Sequence, residues 1–67
     1  MDKSRNHIDA LKKRIADLTK TIDLNQEALK TYAQYLTPEY VRVIEAQNEL
    51  MIIEREELEK ELNEYES

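Results

Sequence analysis

The sequence predicts an all-α protein: two long helices folded into an antiparallel, coiled-coil-like hairpin, with apolar surface left over for assembly into a larger helical bundle. Three observations predict it. The 67 residues include no Gly, no Cys and one Pro, with 37% charged and 40% hydrophobic side chains, a balance typical of long helices and coiled coils. Apolar residues recur in steps of three and four through both halves of the chain. The lone proline interrupts that pattern once, near the middle. A sheet protein of this length needs several turns marked by Gly, Asn-Gly or Pro, and those signals are missing.

The first helix is expected over about residues 3–36. Its seam reads Ile8, Leu11, Ile15, Leu18, Ile22, Asn25, Leu29, Tyr32 and Leu36, an a/d pattern with Asn25 as its strongly polar member. On this reading Tyr32 belongs to the core. The turn is placed at 36–38. Proline is favoured at the first helical position, Thr37 can cap it, and Glu39 suits the positive end of the next helix dipole. Leu36 and Val41 stand where a hydrophobic staple would pack. One continuous helix kinked at Pro38 is the alternative, but residues before proline usually leave the α region.

The second helix is expected over about residues 38–65, with a seam of Val41, Ile44, Asn48, Met51, Arg55, Leu58, Leu62 and Tyr65. At 1.5 Å per residue the two helices are about 50 and 40 Å long. Charge sets their orientation. Residues 1–20 hold six Lys/Arg and three Asp, while residues 54–67 hold seven Glu against Arg55 and Lys60. An antiparallel hairpin brings the two sets together, with Lys12, Lys13 and Arg14 near Glu59, Glu61 and Glu64. Folding about residues 36–39 sets Leu18 opposite Leu58, Leu11 opposite Tyr65 and Ile22 near Ile53. Asn25 and Asn48 fall within about one turn of each other. Either they pair and fix the register, or each points to water.

The feature that bears most on function is a second apolar face. Val43, Ala46, Leu50 and Ile53 lie about 150° from the second helix's own seam. Leu24, Ala28, Thr31 and Tyr35 lie roughly opposite the seam of the first helix, at similar heights in the half nearest the turn. One intramolecular partner cannot cover both sides of a helix. Leu24, Ala28, Tyr35, Tyr40, Val43, Ala46, Leu50 and Ile53 are therefore the candidate partner-binding residues, Tyr35 and Tyr40 being aromatic side chains of the kind enriched at interfaces. The occupant is either a different protein or a second hairpin completing a four-helix bundle.

Chemistry at a site is not expected. His7, the one histidine, has no Cys or second His at ligand spacing and reads as a solvated first-turn residue. Glu54, Glu57 and Glu61 share a helix face but lack the Glu-x-x-His partner of di-iron bundles, and read as a solvated acidic face. No nucleophile–base set, glycine-rich phosphate loop or thiol is present. No enzymatic activity, cofactor or metal is expected. A net charge of −5 argues against direct nucleic-acid binding, although an acidic helix could occupy a partner's basic groove, as phage-encoded DNA mimics do. No apolar run of about 18 residues is available to span a membrane. The opening Met1-Asp2-Lys3-Ser4-Arg5 has no apolar signal core, and a cytoplasmic location is the expectation.

The stretch Leu36-Thr37-Pro38-Glu39-Tyr40-Val41-Arg42, followed by Glu45-Ala46-Gln47, Leu50, Glu54 and Leu58, resembles the second-helix region of the small co-chaperones of type III secretion needle subunits. That resemblance implies an αα-hairpin that pairs in the cytosol with a helical-repeat chaperone and helps keep the needle subunit unpolymerised. The same stretch is loosely similar to the small aspartyl-phosphate phosphatases of the sporulation pathway, whose hairpin carries Ser-Gln-x-Leu-Asp. Here Ala46-Gln47-Asn48-Glu49-Leu50 lacks both the Ser and the Asp, so the phosphatase chemistry does not carry over. The expected function is thus that of a non-enzymatic adaptor or co-chaperone binding helical partners. A self-assembling coiled coil and an acidic inhibitor protein are the alternatives.

Overall fold

A computed structural model of the chain describes residues 3–66; Met1, Asp2 and Ser67 lie outside that range. Helix α1 runs Lys3–Tyr32, a single 3₁₀ turn covers Ala33–Tyr35, and helix α2 runs Pro38–Glu66. The helices pack side by side and antiparallel, and no strand occurs among the described residues. The expected hairpin is the observed fold. It is a rod of 51 × 15 × 15 Å with a radius of gyration of 15.3 Å, against about 11 Å for a compact globule of this length.

Two local effects make the reversal. Thr37 caps α2: its hydroxyl accepts from the Tyr40 amide at 3.2 Å, and its carbonyl accepts from the Val41 amide at 3.0 Å. Pro38 takes the first helical position, where its missing N–H leaves no bond unmade. Leu36 and Val41, the staple pair, are both half-buried. The end of α1 differs from expectation. Neither glycine nor asparagine, the residues suited to the left-handed C-cap that closes many helices, stands between 26 and 47, and no described residue has a positive φ. Instead Tyr32 departs from helical geometry at φ −115°, ψ 10°. The next turn tightens, with the Leu36 amide donating to the Ala33 carbonyl at 3.2 Å.

The helix therefore stops four residues before the expected boundary, and Tyr32, assigned to the core from its place in the a/d series, is 55% exposed. The tighter turn of three residues turns Ala33–Tyr35 outward, all of them exposed, and Leu36 returns to a half-buried position. Tyr65 packs edge-on against His7, ring centroids 5.2 Å apart, where Leu11 was expected opposite it. His7 is accordingly not simply solvated.

The core is thin. Leu11, Leu18 and Ile22 are the buried apolar side chains among the described residues, each contributing roughly 1.5–3 kcal/mol by burial. Ile8, Ile15, Leu29, Val41, Ile44, Met51, Leu58 and Leu62 are half-buried along the same seam. Asn48 is the buried polar residue, 6% exposed. Its Oδ1 accepts from Asn25 Nδ2 at 2.9 Å and its Nδ2 donates to the Ile22 carbonyl at 3.4 Å. The two asparagines pair, the outcome the sequence left open. Arg55, also at a seam position, donates to Thr19 Oγ1 at 3.2 Å.

Candidate functional site

A heptad seam consumes one stripe of each helix, so the remaining surface is decided by what lies at other angles. Two antiparallel helices are related by a local two-fold axis perpendicular to their common plane. Residues turned in the same sense from their own seams therefore emerge on the same flat side of the hairpin. The cross-helix contacts agree with this geometry. Arg14 with Glu54 and His7 with Glu61 join the helices on one side. Lys12 with Glu66 joins them on the other. That other side also carries a shallow groove lined by Gln26, Leu29, Glu45, Asn48, Glu49 and Ile52.

The first flat side divides into two halves. Toward the open end it carries the ion pairs. Arg14 Nε and Nη2 donate to Glu54 Oε2 and Oε1 at 2.9 and 3.2 Å, a two-point contact. These bonds from Arg14, aided by its charge, hold the Glu54 carboxyl below its ordinary range against a smaller opposing effect of desolvation; the same bonds raise the Arg14 guanidinium. His7 Nε2 lies 2.6 Å from Glu61 Oε2. The sign of the charge pairing is as expected but its register is not: Arg14 meets Glu54 and Lys12 meets Glu66 at 3.2 Å, while Glu61 is taken by His7.

Toward the turn the same side loses its charges. Ala28 and Val43 stand at about 90–110° from their seams, Leu24 and Leu50 at about 130°, all in the same sense. Thr21, Tyr40 and Gln47 fill the positions between them. Between Asp17 and Glu54 no charged residue points this way: Asp23, Lys30, Glu45 and Glu49 occupy the opposite side, and Lys20, Glu27, Glu39 and Arg42 the outer edges. Leu24 is 61% exposed and Leu50 68% exposed, with Tyr40 and Val43 each more than half exposed. Apolar side chains this open, and this contiguous, leave water on a surface that a neighbouring helix could cover.

The eight candidate residues thus do not form one stripe. Leu24, Ala28, Tyr40, Val43 and Leu50 share the charge-free side, where Ala28 is half-buried. Ala46 and Ile53 lie on the outer edge of α2, about 170° from its seam, and both are exposed. Tyr35, in the 3₁₀ turn, is exposed at the tip. Sequence reasoning missed Gln47, which is polar and escapes any search for apolar repeats, although the absence of charge along this side was readable. No group of three His, Cys, Asp or Glu is placed to hold a metal among the described residues. No described helix is long and apolar enough to cross a membrane. Comparison with protein-family models, with curated proteins and with solved structures gives no match to this chain.

Proposed function

We propose that this chain is a non-enzymatic protein-interaction module, of adaptor or co-chaperone kind, that takes helices against its charge-free side. The observation that carries the reading is the contrast between the two flat sides at the turn-proximal half. One presents Leu24, Ala28, Tyr40, Val43 and Leu50 without a charge, and the other presents Asp23, Lys30, Glu45 and Glu49. A solvated hairpin gains nothing from that asymmetry, whereas a helical partner is selected by it. The thin core points the same way, because a chain below about 70–80 residues rarely reaches more than roughly 3–5 kcal/mol without a disulfide, metal or partner. A cytoplasmic setting belongs to this proposal, and the resemblance at residues 36–58 makes a helical-repeat protein the heterologous candidate for that side, a second hairpin being the homologous one.

The test is site-specific photo-crosslinking in the native host. A photoreactive side chain replacing Leu50 is expected to give covalent products, and the same group replacing Glu49 on the opposite side is expected to give few. Equal yields from the two positions would remove the reason to treat this side as an interface.

A further inference from the structure

We infer that the charge-free side is occupied by a second copy of this chain, packed antiparallel and overlapped only along the turn-proximal halves into a short four-helix bundle. The inference rests on the interaction-module reading and names the partner.

Area supports it first. One hairpin exposes 5504 Å², whereas a compact monomer of 8.0 kDa exposes about 4,450 Å². A standard interface removes about 800 Å² from each partner, so one self-contact brings the chain close to the area of a compact fold. The surface is also suited to itself: with no charged residue on this side between Asp17 and Glu54, two copies meet without opposing like charges. Ala28 and Val43 at its centre are small enough for close helix approach, about 8–10 Å between axes.

Charge then selects the arrangement. Residues 54–67 carry seven Glu against two cations. A parallel pair sets two such segments side by side, within the Debye length of about 8–10 Å at physiological salt. An antiparallel pair that overlaps at the turns sends them to opposite ends. The charge-free strip runs about 15 residues along each helix, or roughly 22 Å. The resulting dimer is then roughly 80 Å long at 1.5 Å rise per residue, compared with 51 Å for one hairpin.

The experiment is light scattering joined to small-angle X-ray scattering on the purified full chain across a concentration series. A dimer mass with a maximum dimension near 80 Å is expected. Gln47→Glu puts a charge into the strip at an exposed polar position, where it cannot empty the core; it is expected to weaken dimerisation at least tenfold with unchanged helical circular dichroism. Glu49→Gln, on the opposite side, is expected to leave dimerisation as it is. A dimer near 51 Å long would overturn the antiparallel overlap. A monomer at all concentrations would overturn the self-contact, and cross-links from position 50 to a different protein would then show the interaction-module reading standing without it.

Discussion

At the scale of single residues, Asn25 and Asn48 show how a polar pair can be both costly and specifying. Asn48 is buried and its side-chain amide is satisfied at both ends, by Asn25 and by the Ile22 carbonyl. Replacing Asn25 with Leu leaves Asn48 Oδ1 buried without its donor, and should destabilise the hairpin by about 1–3 kcal/mol, read from urea unfolding. Replacing both with Leu should recover that loss but release the register, seen as broadened or doubled amide resonances. The exposed Arg14–Glu54 contact gives a second prediction. Glu54's carboxyl is held below its ordinary value in the fold, so the contact stabilises the fold above the ordinary carboxylate range and is lost as pH falls through the lowered one. A side-chain NMR titration should find Glu54 ionising below the ordinary glutamate value, and Arg14→Gln should return it there.

Among the elements, α2 has a defined start and α1 a makeshift end. Thr37 gives α2 a side-chain cap and Pro38 a preset φ. Thr37→Ala should cost about 1 kcal/mol, with Thr37→Ser close to wild type, both measured by thermal or urea unfolding. The start of α2 was readable because capping is written in local residue types. The end of α1 was not, since no residue marks it. The seam of α1 continued in register to Leu36, but the backbone leaves helical geometry at Tyr32 and passes through a 3₁₀ turn. Tyr32 is exposed at that departure, although its a/d spacing placed it in the seam.

For the whole molecule, elongation is the governing fact. Leu11, Leu18 and Ile22 form the buried apolar core in a rod 51 Å long, so stability should depend on what covers the rest. If association supplies part of it, the midpoint of thermal unfolding rises with protein concentration. Leu50→Glu with Ile53→Glu should remove that dependence and abolish association while leaving far-ultraviolet dichroism largely intact. Retained association in that double variant would place the interface elsewhere. Both side chains are exposed in the hairpin, which is why the change is expected to spare the fold.

Periodicity, the single proline and the opposed charges of the two halves determined by themselves that this chain is two helices, where the second begins, and that they run antiparallel. Those are properties of local spacing and net charge, and neither needs atomic contact to be read. Tertiary structure decided which residue meets which: Arg14 with Glu54, His7 with Glu61 and Tyr65, Asn25 with Asn48. Register depends on the length and geometry of the reversal, which residue spacing alone does not fix. It also decided how the leftover apolar residues divide. Helical angle alone separates them from the seam, but only the packing of α1 on α2 gathers Leu24, Ala28, Val43 and Leu50 onto one charge-free side and leaves Ala46 and Ile53 at the edge.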